Sequence, residues 1–307
     1  MSRIPDARCS TGIENQVSRI ENMRIPLTKY GWPQVITFPA AVLAVMVVFL
    51  LGTRDQLSLG SRLIGAGLLA VILIWVFCFF RDPERRCPSD RNLLLAPADG
   101  QVTDIETVED CPAFLRKQEG GSEAALRIGI FMSIFDTHIN RAPCNVKVEK
   151  ITYQKGKFKN ARNPQSGRVN ESNDLDLVRT DSPQDRLIVR QISGAIARRI
   201  VCDKVEGMEL TGGQKFGMIK FGSRTELYVP VCLSSCVVHD ASCAKALTNQ
   251  DTESTEKELK LNSANSTAQK HTQHAIRNTQ YEIKCLVQIG DKVKAGLTPL
   301  VRYEIGE

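Results

Sequence analysis

Two uncharged apolar runs near the start of the chain, residues 35–51 and 63–80, restrict its architecture more than any other feature. They hold 17 and 18 residues, close to the ~20 that an α-helix needs to cross the hydrocarbon core of a bilayer. Only Pro39 interrupts the first, and the second ends in Trp75, Phe77, Phe79 and Phe80, aromatic residues suited to an interface. Neither run has the polar face that a surface helix of a water-soluble core would need. The link between them, 52–62, is too short for a domain but adequate for a turn between antiparallel helices. Arg19, Arg24 and Lys29 precede the pair, Arg81, Arg85, Arg86 and Arg91 follow it, and the link carries only Arg54 and Arg62. The positive-inside bias therefore predicts a transmembrane hairpin over 35–80, preceded by a cytoplasmic segment 1–34, with both ends of the pair in the cytoplasm. A cleaved signal peptide fits poorly, because the first run begins far from Met1 and no small-residue cleavage site is evident. The competing reading is a helical hairpin buried in a soluble core.

Beyond the hairpin the periodicity changes. Residues 93–95, 128–134, 146–153, 187–192 and 218–221 are short apolar or alternating runs joined by Gly- and Asn-rich turns, and they read as strands. One helix is predicted over 196–201. The spacing Gly207-x-x-Leu210-x-x-Gly213 is echoed by Gly290-x-x-Val293-x-x-Gly296, and each reads as a tight turn between strands. Similar half-motifs occur in the barrel-sandwich folds of biotinyl and lipoyl carriers. The expected fold is mainly β (α+β), a barrel-sandwich-like domain over 81–307 that follows the helical hairpin.

Between 233 and 280 the composition shifts. Residues 248–279 are Ser, Thr, Asn, Gln, Lys and Glu with few apolar side chains, which cannot offset the entropy of ordering, so a disordered surface insertion is predicted. Cys232, Cys236, His239 and Cys243 cluster at its start, but their spacing matches no zinc motif, and no metal site is expected. The ten cysteines lack regular pairing and look like reduced thiols of a cytoplasmic domain. The net charge of +6 suits an anionic membrane face better than nucleic acid, for which the chain has no zinc-finger spacing and no RNA-binding signature.

Chemistry concentrates at Gly222-Ser223, which closes the alternating segment Lys215-Phe216-Gly217-Met218-Ile219-Lys220-Phe221. A Gly-Ser bond is one of the few places where a backbone can cut itself. The Ser hydroxyl attacks the preceding carbonyl, which at Gly has no side chain to block the approach. The resulting ester can eliminate across Cα–Cβ, and hydrolysis then leaves a pyruvoyl ketone at a new N-terminus. Most Gly-Ser pairs are merely turns, so the pair alone does not establish this. Such a cut needs a base for the hydroxyl proton. His138 is the sole histidine outside 233–280, since His239, His271 and His274 lie within that segment. One imidazole can serve as base and later as proton donor. Asp99, in Pro97-Ala98-Asp99-Gly100, is a natural carboxylate to orient it, although Asp-Gly also suits a plain turn.

Further blocks give these residues a context. They are Phe80-Arg81-Asp82-Pro83-Glu84-Arg85, Ala96-Pro97-Ala98-Asp99-Gly100-Gln101-Val102, and Phe131-Met132-Ser133-Ile134-Phe135-Asp136-Thr137-His138-Ile139-Asn140-Arg141-Ala142-Pro143. Gly156-Lys157-Phe158-Lys159-Asn160-Ala161, Asn170-Glu171-Ser172-Asn173, residues 191–202 and residues 216–230 follow in order. In these blocks the chain resembles the phosphatidylserine decarboxylase proenzymes, a pyruvoyl-dependent family of phospholipid synthesis, over about residues 60–232 and again over 283–303.

The resemblance implies a membrane-anchored proenzyme that cleaves between Gly222 and Ser223 into a β chain, 1–222, and an α chain, 223–307, which stay associated. It implies that Ser223 becomes a covalent pyruvoyl cofactor and that phosphatidylserine is decarboxylated to phosphatidylethanolamine through a Schiff base. It also implies that Asp99, His138 and Ser223 act together in self-cleavage. Some members carry a second His where this chain has Arg141, so the division of tasks between His138 and Arg141 stays open. Arg141 is a candidate for the substrate's phosphate or carboxylate, or a solvated turn residue. Arg81, Arg85 and Arg86 fit an anchor on the cytoplasmic side or an attraction for anionic headgroups. The expected location is the cell membrane, with the catalytic domain facing the cytoplasm, and a homo-oligomer stays open.

Two other function classes compete. A non-enzymatic barrel-sandwich carrier or membrane adaptor would suit the paired glycine turns, but the Met-Lys or Asp-Lys-Ala attachment turn is missing. A hydrolase using Ser223, His138 and Asp99 directly would need a Gly-x-Ser-x-Gly elbow, which Phe221-Gly222-Ser223-Arg224-Thr225 does not supply.

Overall fold

A computed structural model describes residues 27–109, 124–195, 199–220, 222–231 and 281–305. The chain divides into two units, Met1–Glu84 and Arg85–Glu307.

In the first unit, helices α1 (Trp32–Gly52) and α2 (Leu59–Phe79) cover both apolar runs except Phe80, the C-cap of α2, and extend each toward its N-terminus. Pro33 sits in the first turn of α1, where its missing N–H costs no helical bond. Ser58 caps α2 by accepting the Ser61 N–H at 3.3 Å. The helices form an antiparallel hairpin. Near the link Arg62 Nη2 donates to the Leu50 carbonyl at 2.9 Å, and a Cβ on Gly65 would collide with the Phe49 ring. At the opposite end the Thr28 N–H donates to the Phe80 carbonyl at 2.9 Å.

Each helix has 21 residues and spans about 31 Å at 1.5 Å per residue, matching a hydrocarbon core about 30 Å thick. Both are long and apolar enough to cross a membrane. Val48, Ile64, Leu68 and many similar side chains stand exposed, unlike those of a hairpin buried in a soluble core.

The second unit is mostly β. Its largest sheet is antiparallel and curled, with strand order β13-β2-β3-β11-β7-β6-β5-β9. These strands are β2 (Gly100–Val108), β3 (Ala124–Met132), β5 (Val146–Gln154), β6 (Ser172–Arg179), β7 (Arg186–Ile192), β9 (Glu209–Leu210), β11 (Ser223–Val231) and β13 (Lys292–Val293). A second sheet has order β4-β10-β8, from Ile139–Arg141, Lys215–Lys220 and Arg199–Cys202. The third has order β1-β14-β12, from Leu93–Leu95, Pro299–Ile305 and Tyr281–Cys285. A short helix, α3 (Ser166–Val169), lies between β5 and β6.

The main core is built from inward residues of all three sheets, including Leu94, Val102, Ile128, Ile130, Leu175, Val189, Phe216, Ile219, Leu227 and Val301. None of the described cysteines forms a disulfide, and burial pushes the Cys144 thiol up to about 12, the state of an inert packed thiol.

All five predicted strands exist, and the mainly β fold with its preceding hairpin is the architecture found. Of the helix predicted over 196–201, residues 196–198 lie outside the described residues and the remainder is not helical. Residues 199–202 form β8, where Ile200 and Val201 pair with Ile219 and Met218 of β10, and this tertiary pairing outweighs any local helical preference. The echoed glycine turns are real. Gly207, Gly213, Gly290 and Gly296 all have positive φ, and the two turns meet where Gly213 and Gly296 touch. The segment 233–280, with Cys236, His239 and Cys243, and Cys232 beside it, lies outside the described residues. Among the described residues, no group of three or more His, Cys, Asp or Glu side chains is arranged to hold a metal ion.

Candidate active site

Ser223 opens β11, a central strand held between β3 and β7, and stands opposite Met132. Strand alternation sends Ser223, Thr225, Leu227 and Val229 toward the main core, while Tyr228 joins a separate cluster with Ala125 and Ile188 on the other face. Ser223 Oγ is fully buried and, among the described residues, has no hydrogen-bond partner. A buried polar group left unbonded costs about 1–3 kcal/mol, and in a native structure calls for an explanation such as a chemical task.

The residue before it shares the setting. Gly222 has φ of +63°, a left-handed conformation that disfavours a side chain. Its carbonyl, the one bonded to the Ser223 nitrogen, packs on Gly194 so closely that a Cβ there would collide with the oxygen. The same Cβ would lie 3.2 Å from Ala161.

His138 is buried and grips this segment twice. Its carbonyl accepts the Ile219 N–H at 3.2 Å, and its ring Nε2 accepts the Gly222 N–H at 3.2 Å. The other ring nitrogen is fixed locally. A turn from Ser133 to Asp136 closes when the Asp136 N–H donates to the Ser133 carbonyl at 2.9 Å and Asp136 Oδ2 accepts the Ser133 N–H at 2.8 Å. The Asp136 carbonyl then lies 2.9 Å from His138 Nδ1. These two partners assign the neutral tautomer with its proton on Nδ1 and a lone pair on Nε2 facing Gly222.

The other predicted residues stand nearby, engaged in the frame. The Arg141 N–H donates to the Pro97 carbonyl at 2.9 Å, which sets the Pro97–Asp99 segment beside β4. The Asp99 carboxylate is bidentate with Arg85, at 2.5 and 2.7 Å, and also accepts the Ala295 N–H at 2.8 Å. Arg85 donates in turn to the Ala295 carbonyl at 2.6 Å. Arg141 donates to the Gly213 carbonyl at 3.0 Å and packs on Gly296, where the two glycine turns meet.

Two buried polar groupings escaped sequence reasoning. The first links strands across the core face. Asn173 donates to Gln191 Oε1 at 3.0 Å, Gln191 to Asn140 Oδ1 at 2.9 Å, and Asn140 to Thr225 Oγ1 at 3.1 Å. Asn140 lies two residues from His138 and Thr225 two from Ser223, so this chain ties the strand after the histidine to the strand of the serine. The second flanks Ser223 on the opposite face. Arg224 is fully buried, paired with both carboxylate oxygens of Asp104, and donates to Thr103 Oγ1 and Glu226 Oε1 at 2.7 Å each. Burial works against its charge, but Glu226 and Asp104 outweigh burial and hold the guanidinium above its ordinary range. Removing one partner of such a pair costs about 3–5 kcal/mol because a buried charge is left unopposed. Just before the Gly-Ser pair, burial and then the cation of Arg199 hold the Lys220 ammonium below its ordinary range. The signal for both groupings was polar residues at inward positions of strands, legible only once the register is known.

Ser223 Oγ, with no hydrogen-bond partner among the described residues, thus follows a glycine of positive φ whose N–H is held by the His138 ring. Residues 72–245, more than half of the chain, match the phosphatidylserine decarboxylase family. The chain belongs to the phosphatidylserine decarboxylase family. It is 43% identical over 163 residues to the phosphatidylserine decarboxylase proenzyme of Pelagibacter ubique, covering 53% of this chain and 73% of that protein. It is also 43% identical over 166 residues to the proenzyme of that name from Cereibacter sphaeroides, covering 53% of this chain and 68% of the relative. The family match takes in Asp99, His138, Arg141, Gly222 and Ser223, together with β1 to β11.

Proposed function

We propose that this chain is a proenzyme that cuts itself between Gly222 and Ser223 and then decarboxylates phosphatidylserine to phosphatidylethanolamine. The observation that carries this reading is the buried Oγ of Ser223, without a hydrogen-bond partner among the described residues, one residue after the Gly222 N–H that His138 Nε2 accepts. Ser223 Oγ attacks the Gly222 carbonyl carbon, and His138 Nε2, on giving up the Gly222 N–H, takes the hydroxyl proton and returns it to the departing Ser223 nitrogen. The ester formed loses its Cα proton and releases the Gly222 carboxylate, and water then displaces ammonia to leave a ketone at position 223. An orphaned hydroxyl at the buried start of a central strand fits this conversion. The pyruvoyl group so formed would supply a carbonyl for the substrate's amine and an acceptor for the electrons left as carbon dioxide departs.

The chain's own residues do the rest. His138, once protonated on Nε2, returns that proton to the carbon that loses the carboxyl group. Asp99 serves as a positioning residue, locking Arg85 and the Ala295 turn behind the site. Arg141 belongs to the same frame, because its guanidinium is held at the Gly213 carbonyl. After the cut the β chain, 1–222, and the α chain, 223–307, remain joined through β11 with β3 and β7, β13 with β2, and β14 with β1. The hairpin over residues 35–80 anchors the enzyme in the cell membrane, with the decarboxylase domain, 81–307, on the cytoplasmic side.

The test is direct. Purified protein in bilayers should release labelled carbon dioxide from carboxyl-labelled phosphatidylserine and accumulate phosphatidylethanolamine. Intact lipid after prolonged incubation with fully processed protein would refute the reading.

A further inference from the structure

Two loops reach the cleavage site from the outside of the second unit. One is the connection from β5 to β6. Asn170 at its end donates to the carbonyls of Lys159 and Ser193 at 2.8 Å, and Ala161 within it packs toward Gly194, which touches the Gly222 carbonyl. The other is the turn Ser133–Asp136, whose last carbonyl fixes His138. The Arg162 guanidinium lies over the ring of Phe131 at 5.9 Å, which brings the first loop to the end of β3, two residues before that turn.

Their outer surfaces have an unusual make-up. Lys155, Lys157, Lys159, Arg162 and Arg168 are all exposed, and no acidic residue occurs from 155 to 170. Amid these cations Phe158 is 40% exposed, and on the adjoining turn Phe135 is 69% exposed. A surface facing only water would intersperse charges of both signs and would gain nothing by exposing two phenyl rings. Cations around exposed aromatic rings complement an anionic bilayer, where the charges meet headgroup phosphates and the rings enter the interface.

We propose that this basic–aromatic rim docks the second unit onto an anionic lipid surface, so that a lipid headgroup meets the His138–Ser223 site without its acyl chains leaving the bilayer. The proposal rests on the decarboxylase reading for the identity of the lipid, and on the rim alone for the docking.

The test uses the full chain in liposomes, in a Trp32→Phe/Trp75→Phe background that removes both native tryptophans. A Phe158→Trp reporter should lose about half its emission or more when the acyl chains are brominated, and more in phosphatidylglycerol than in phosphatidylcholine vesicles. Lys157→Glu/Lys159→Glu/Arg162→Glu should abolish that quenching and raise the vesicle phosphatidylserine needed for half-maximal rate roughly tenfold. Self-cleavage and turnover of a dispersed short-chain phosphatidylserine should not change. Equal emission in brominated and plain vesicles while phosphatidylserine is consumed would overturn the docking. So would quenching that survives the charge reversal, or a reporter that responds to an acidic polypeptide and not to vesicles. Quenching without turnover of either lipid form would instead sink the decarboxylase reading and leave the docking standing.

Discussion

Ser223→Ala is expected to accumulate as one uncut chain of 307 residues with no measurable decarboxylation. The substitution deletes one oxygen that makes no hydrogen bond among the described residues, so folding should be unharmed. Removing a buried hydroxyl with no partner is neutral or stabilising by up to about 1 kcal/mol, because its desolvation is no longer uncompensated. The loss of function would therefore be chemical. Without Oγ nothing attacks the Gly222 carbonyl, and without the cut no ketone exists at position 223. Gel electrophoresis, a thermal melt and a carbon dioxide assay on the same preparation check all three statements. A variant that is processed like the wild type would place the cut elsewhere, and one that is uncut yet active would detach the chemistry from position 223.

His138→Ala carries the second large effect. General acid–base catalysis by a positioned imidazole contributes about 10²–10⁴-fold, and self-cleavage should slow by a factor in that range. The ring also accepts the Gly222 N–H and is braced by the Asp136 carbonyl, so the variant loses orientation of the scissile segment along with a proton acceptor. Truncating a buried ring leaves a cavity, and the melting temperature must be followed so that unfolding is not mistaken for slow chemistry. Chain cleavage read by a time course, and decarboxylation read on whatever fraction is processed, separate the two tasks of the histidine. Wild-type rates in both would remove His138 from the mechanism.

The legible parts of this chain are those carried by local pattern. The hairpin is visible because a run of apolar residues with no polar face has few ways to fold, and the helices α1 and α2 follow the runs with modest extensions. β5 announces itself by alternation and β7 by its apolar run Leu187-Ile188-Val189. β6 does not, because Asp174 and Asp176 are buried on a strand covered on both faces and break the apolar run. Asp174 is reconciled only by Arg190, at 2.7 Å on both oxygens, a partner 16 residues away in sequence and adjacent in the sheet. The stretch 199–202 failed for the same reason in reverse, since its strand exists by pairing with β10.

At the candidate site, the sequence singled out Gly222, Ser223 and His138 because the proposed chemistry restricts the residue types that can do it, and the structure brings the Gly222 N–H to the His138 ring. The neighbours that hold them were not legible. Asn140, Gln191 and Thr225 converge from β4, β7 and β11, and a linear sequence does not show which residues share a face until the register is fixed. Asp99 illustrates the limit from the other side. The reading that a carboxylate near the histidine should orient it is chemically sound, while the contacts its oxygens make are to Arg85 and the Ala295 amide, 196 residues along the chain.

The most direct test of the central claim is the intact mass of the purified wild-type protein under denaturing conditions. Self-cleavage at Gly222-Ser223 predicts two polypeptides, 1–222 ending in a free carboxyl and 223–307 with a ketone in place of its amino terminus and resistant to N-terminal sequencing. A single full-length chain that still decarboxylates phosphatidylserine, or a smaller fragment that begins with an ordinary serine amine, would contradict it.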